Sequence, residues 1–193
     1  MKNIKIEVSR KILHLFGITV WLVYDYLGYQ YTFLYLASGL LISFTFDIIR
    51  LKKYSIYPFK KITEKLARKY ERFTFAAHIY FFASATLIVY LIKDFLAIVA
   101  IMIFISSDAA AAIVGTSIGR HKNPINNRKT IEGTIAGIIV TVIVTVIFLN
   151  PTYAIGTAIV FFIIDSVDIG ISDNFTLPLF MGITLRIINM IVG

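Results

Sequence analysis

The sequence predicts an all-α integral membrane protein, a single bundle of about seven transmembrane helices with an amphipathic loop on the cytoplasmic side. Three observations lead there. Of the 193 residues, 58% are hydrophobic, and the mean hydropathy of +0.81 exceeds what a water-soluble core requires. The apolar residues recur in runs of roughly 17–25, the length at which a helix crosses a bilayer. Finally, the net charge of +8 is concentrated in alternate gaps between those runs. There is no cysteine, so disulfides and thiol catalysis are excluded.

The expected spans are 12–27, 31–49, 73–92, 95–118, 131–149, 153–167 and 175–192. Lys2, Lys5, Arg10 and Lys11 precede the first. That run has no small-residue cleavage site and leads straight into the second, so no cleavable signal is expected. Residues 50–72 form the one long connection. Its Ile56, Phe59, Ile62 and Leu66 recur at helical spacing, with Lys60, Lys61, Lys65, Arg68 and Lys69 between them. An interfacial helix held by anionic headgroups is the expected form, with direct nucleotide binding as the alternative. Asp165 and Asp168 cut the sixth span short. Pro58 and Pro178 fall where helix starts are expected. No repeat or low-complexity tract interrupts the chain, and one transmembrane catalytic domain, residues 1–193, is expected.

Nine basic residues lie in 50–72 and four in 120–129, whereas the gaps near Tyr29, at 93–94 and at 150–151 carry almost none. The positive-inside rule therefore predicts a multi-pass protein with a cytoplasmic N-terminus and, with seven spans, an outer C-terminus. Trp21, Tyr24, Tyr26, Tyr29 and Tyr31 cluster where the outer interface falls.

Chemistry is expected first at Asp108. It sits inside the apolar run 95–118, and an intramembrane carboxylate is costly enough to mark a functional site. Gly115 and Gly119 follow it, permitting a helix break, a close-packed helix face or a close approach by ligand. Arg120 lies 12 residues on, about 18 Å along an unbroken helix, so the basic loop of Arg120, Lys122, Arg128 and Lys129 reaches Asp108 only through a break or a polar pocket. Ser106 and Ser107 add hydroxyls beside Asp108. Lys129, Thr130 and Glu132 open the fifth span, where a helix N-terminus with a nearby lysine suits an anion; Glu132 serves that site or caps the helix. Glu7, Arg10 and His14 share one helix face with Lys11 beside them. Asp47 either pairs with Arg50 or Lys53 or serves the site. Asp165, Asp168, Asp173 and Asn174 form an acidic stretch whose carboxylates, with substrate phosphates, match the usual way magnesium is held. The other reading there is a solvated turn that caps the last helix. His78 reads as a core histidine, and Arg186 as a snorkelling or internally paired one.

The motifs Arg10-Lys11-x-x-His14, Asp108-Ala-Ala-Ala-Ala-x-x-Gly115-x-x-x-Gly119-Arg120, Lys129-Thr130-x-Glu132-Gly133 and Asp173-Asn174-x-Thr176-x-Pro178 together resemble the CTP-dependent lipid-alcohol kinases. That group contains dolichol, phytol and fungal-type diacylglycerol kinases. Ser107 stands where the family often has glycine, and Ser172 where a second acid is usual. The resemblance implies CTP as phosphoryl donor, a divalent cation (magnesium) as cofactor and a lipid alcohol as acceptor. It assigns functional positions to Arg10, Lys11, Asp108 and Gly115. In the resulting expectation Asp108 holds the metal, with Asp173 or Asp47 as partner. Arg10, Lys11, Lys122, Arg128 and Lys129 neutralise the triphosphate, and the base is an acid or His14. The partners are lipid alcohol, CTP and membrane lipids, with no nucleic acid. A cytidylyltransferase that makes a CDP-lipid is the nearest alternative. A secondary transporter or ion channel with Asp108 in its path is the alternative of another class.

Overall fold

The computed structural model describes residues 8–11, 16–66, 71, 73–168 and 170–192, without the side chains at 16 and 66. Residues 8–11 are helical. A 3-10 turn, Phe16–Ile18, leads into α1 (Thr19–Leu27). There follow α2 (Tyr29–Lys52), a second 3-10 turn (Tyr54–Ile56), α3 (Lys60–Leu66), α4 (Ala77–Ile92), α5 (Phe95–Ser117), α6 (Ile131–Phe148), α7 (Pro151–Ser166) and α8 (Asp173–Val192). Six of the expected spans have a helix over most of their length; of the first, residues 12–15 lie outside the described residues and the α-helix covers Thr19–Leu27. The described residues contain no strand, only one isolated bridge between Lys122 and Thr130.

Four helices, α2, α5, α6 and α8, are long and apolar enough to cross a membrane. Their faces agree with that setting. The inward side of α6 is Gly133, Thr134, Gly137, Thr141 and Thr145, while Ile135, Ile139, Ile143 and Ile147 are exposed. Small residues inside and large apolar ones outside are the reverse of a soluble helix and the usual pattern in lipid.

α5 is the axis of the bundle. From Phe95 to Ile105 it is apolar on every side, so that stretch can be satisfied only by being surrounded. Residues Leu96 to Ile105 are all buried, against α6, α8, α4 and α1. Around it, α2 packs on α1 and α4, and α7 packs between α6 and α8. Side chains fix several helix starts. Asp94 accepts from the Leu96 amide at 2.8 Å, Thr130 from Gly133 at 3.2 Å, and Asn150 from Thr152 at 3.0 Å with Pro151 at the first turn. At the far ends, Gly28 (φ 80°) and Lys93 (φ 59°) reverse the chain in the left-handed region.

Three expectations shift. The third span starts at Ala77, because Asp47 and Arg50 hold the preceding residues extended. Asp47 accepts from the Ala76 amide at 2.9 Å, and Arg50 donates to the Thr74 carbonyl at 2.7 Å. Pro178 lies inside α8, because the Ser172 carbonyl already accepts from Phe175 and Thr176 and starts the helix earlier. Among the described residues of the loop after α2, the α-helix covers Lys60–Leu66.

Candidate functional site

The loop between α5 and α6 is built by its own polar side chains. Asn123 is buried. It accepts from the Ile125 amide at 2.9 Å and donates to Ser166 at 3.0 Å, anchoring the loop to the end of α7. The Asn123 amide donates to the Lys129 carbonyl and the Lys129 amide to the Asn126 carbonyl. This folds the loop back so that Lys129 faces inward.

Lys129 there meets two carboxylates at once, Asp165 at 2.7 Å and Asp173 at 2.7 Å. Asp165, near the end of α7, is buried, and its second oxygen accepts from Thr134 at 2.7 Å. Burial alone would lower the Lys129 pKa. The carboxylates of Asp173, Asp165 and Asp108 outweigh that and hold the ammonium well above the ordinary lysine value. The field of Asp108 thus reaches Lys129. Asp108 itself is buried in α5 and pairs with Lys11 of the N-terminal helical residues. Two ion clusters thus stand at this end of the bundle, Lys11 with Asp108 and Lys129 with Asp165 and Asp173, coupled by the effect of the Asp108 charge on Lys129.

The glycines act as spacers. α5 runs unbroken to Ser117, so Gly115 and Gly119 do not break it. A Cβ on Gly115 would lie 2.8 Å from Thr130 Oγ1, and one on Gly119 2.3 Å from the Gly115 carbonyl. On the facing helix, a Cβ on Gly133 would lie 2.7 Å from the Ala111 carbonyl. The space these residues leave is filled by Thr130 and by backbone, which brings the start of α6 against the end of α5. Ser107 is likewise committed, donating to the Ile103 carbonyl at 2.7 Å.

The remaining basic residues of the loop point elsewhere. Arg120, Lys122 and Arg128 are exposed, and Arg128 pairs with Asp168 at 2.9 Å. Thr130, not Glu132, caps α6; Glu132 accepts from the Arg120 and His121 amides at 3.1 Å each and braces the turn above it. Arg186 pairs with Asp94 at 3.1 Å at the opposite end of the bundle. His14 and Glu7 lie outside the described residues.

Arg10 and Asp47 belong to a neighbouring cluster. Asp47 pairs with Arg50 within α2, as one sequence alternative held. Arg50 also donates to the Glu71 carbonyl, and Arg10 stands 3.9 Å from the Glu71 carboxylate. These groups line a cavity with His78, which is exposed rather than a core residue.

No group of three or more acid, histidine or cysteine side chains among the described residues is arranged to hold a metal, so Asp108, Asp173 and Asp47 do not form one carboxylate set. Asp165 and Asp173 do converge on a single cation, the Lys129 ammonium. Two carboxylates with substrate phosphates completing the shell is a normal magnesium arrangement, so this pair fits such an ion.

The sequence matches the cytidylyltransferase family over residues 1–191. The chain belongs to that family. It includes the CTP-dependent lipid kinases, and membership makes this a membrane enzyme that uses CTP and a lipid substrate. Searches of curated proteins and of solved structures gave no match. The sequence reading places Asp165 in the acidic stretch but gives the metal to Asp108 with Asp173 or Asp47, whereas it is Asp165 that shares Lys129 with Asp173. The signal was present, because Asp165 is an acid at the end of an apolar run, as Asp108 is an acid within one.

Proposed function

We propose that this family member is a CTP-dependent kinase for a membrane lipid alcohol, working at the cytoplasmic face. The observation that carries the reading is the cluster of Lys11, Asp108, Lys129, Asp165 and Asp173, assembled from five separate segments at one end of the bundle. Phosphoryl transfer is mostly positioning and charge neutralisation, and such a cluster supplies both.

In the reaction the lipid hydroxyl oxygen attacks the terminal phosphorus of CTP. The bond to the bridging oxygen breaks, CDP leaves, and the hydroxyl proton passes to a nearby carboxylate. Lys11 and Lys129 would exchange their carboxylate partners for phosphate oxygens when the nucleotide binds. Asp108, Asp165 and Asp173 are thereby released, Asp165 and Asp173 to hold a magnesium ion. Such an ion, when bound, neutralises phosphate charge. Gly115, Gly119 and Gly133 keep α5 and α6 close enough for both lysines to serve one triphosphate. The positive-inside pattern supports a cytoplasmic N-terminus, which puts this end of the bundle on the cytoplasmic side.

Cytidylyl transfer to a lipid phosphate, also in keeping with the family, attacks the inner phosphorus and releases pyrophosphate. The test is to give purified protein labelled CTP and a panel of polyprenols, phytol-like alcohols, diacylglycerol and phosphatidate. Terminal label in the lipid with release of CDP supports the kinase. Cytidine in the lipid with release of pyrophosphate overturns it.

A further inference from the structure

Beside the phosphoryl cluster lies a cavity of about 550 Å³ between α2, α4 and the segment around α3. Ile42, Phe46, Phe59, Ile62, Phe81 and Phe82 form its apolar wall. Its size and lining are those of a small-molecule pocket, about 300–1,000 Å³ and mostly apolar with a few convergent polar groups. Those groups are Arg10, Asp47, Arg50 and Glu71, with Ser43 and His78 beside them.

Two properties of the polar end decide what it takes. The first is charge. Among the described lining residues two guanidiniums meet two carboxylates, so the end is balanced. Arg50 is already committed to Asp47 and to the Glu71 and Thr74 carbonyls. Asp47 is committed through both oxygens, to Arg50 and to the Ala76 amide. Among the described lining residues no cation is in excess of the carboxylates, so a lipid phosphate would add buried negative charge that they do not balance, which is unfavourable. A hydroxyl needs only a neutral donor and acceptor, and the Ser43 hydroxyl is both. The second property is position. Arg10 lines the cavity, while the next residue, Lys11, pairs with Asp108. Ile105 also lines it, about one helical turn before Asp108 on α5. The cavity therefore adjoins the phosphoryl cluster along two elements at once.

We infer that this cavity holds the hydroxyl-proximal segment of a neutral lipid alcohol, with the rest of its chain running out into the bilayer. The inference rests on the kinase reading and extends it to the acceptor. It also gives the loop after α2 a second role. That loop was expected to lie on headgroups or to bind nucleotide, yet it contributes Tyr57, Phe59 and Ile62 to the wall.

The test uses the full chain in nanodiscs and a short isoprenoid alcohol that carries a photoreactive diazirine near its hydroxyl. Labelled peptides should come from the cavity stretches of α2 and α4. Unlabelled alcohol should suppress the labelling and the corresponding lipid phosphate should not. Ser43→Trp, which fills the cavity, should raise KM for the alcohol by about tenfold or more and leave KM for CTP within about twofold, the scale of a lost pocket contact. Ile42→Ala, which enlarges the cavity, should favour bulkier alcohols. Labelling of the other apolar groove, where Ile183 and Ile187 face Leu91, would overturn the assignment. So would equal competition by the lipid phosphate, or unchanged alcohol kinetics in both variants. Cavity labelling without phosphorylation would sink the kinase reading and keep the site; phosphorylation with labelling elsewhere would do the reverse.

Discussion

Lys129 and Asp165 lie 2.7 Å apart, and that contact ties the basic loop before α6 to the end of α7. Because Asp165 is buried and also held by Thr134, it fixes where the lysine charge points. The α5–α6 loop is thus aimed by a residue from another helix, and Lys129→Ala tests the consequence. The change leaves a buried carboxylate short of its cation, which costs up to about 3 kcal/mol for a pair of this kind. Asp165→Asn in the same chain should recover most of that stability in a thermal melt, while CTP use stays impaired by about tenfold or more. Full recovery of CTP use would make Lys129 purely structural. The exposed Lys61 and Lys65 are the controls, and their alanine variants should bind CTP normally.

Asp108→Asn should insert and fold, since the amide oxygen can still accept from Lys11. Turnover should fall by at least about 100-fold, the scale of losing a charged group aimed at the reacting phosphate. Lys11→Gln should raise KM for CTP more than it lowers stability. Near-normal turnover of Asp108→Asn would remove that residue from the chemistry.

The glycines make a contrasting pair. A Cβ at Gly133 meets the Ala111 carbonyl at 2.7 Å, whereas the close contact of one at Gly156 is the end of the Ile188 side chain, at 2.6 Å. Gly133→Ala should therefore push α6 off α5, costing about 1–3 kcal/mol and weakening CTP use. Gly156→Ala should melt within about 1 kcal/mol of the parent, since a flexible side chain can yield. Equal behaviour of the two would contradict the tight α5–α6 contact.

Reporter fusions check orientation. The charge asymmetry predicts a cytoplasmic signal at the N-terminus and an outer one at the C-terminus. Matching signals at both ends would mean an even number of crossings.

The spans were legible because apolar runs and charged gaps are both one-dimensional patterns. Asp108 was legible for a related reason, since an acid in an apolar run needs no partner to be noticed. Its neighbours were harder. The motif residues Lys11, Lys129 and Asp173 could be named, but their mutual contacts come from helices distant in sequence. The length of α5 suggested that Lys129 was out of reach of Asp108. In fact the loop doubles back through Asn123 and the pairing with Asp165. Asp165 was read at the end of the sixth span, where α7 does end, but its lysine and threonine partners lie 36 and 31 positions away and could not be read from the sequence. Gly115 and Gly119 had two readings, and only packing chose between them. Asp47 was recognised as a local partner of Arg50, but its hold on the Ala76 amide depends on a residue 29 positions away.

The lengths of α4 and α7 bear on the bilayer itself. Each has 16 residues, about 24 Å of helix at 1.5 Å per residue, against a hydrocarbon core of about 30 Å. Both helices flank α8, so the shortfall is concentrated on one side of the molecule. Lipid next to short helices thins to match them. Because α7 ends at the Asp165 cluster, that thinning would lower the membrane surface beside the phosphoryl site, bringing a lipid hydroxyl towards a nucleotide that stays in water. Turnover in vesicles of graded acyl length should therefore fall as the bilayer thickens, and a flat profile would show that the protein does not rely on deforming its own solvent.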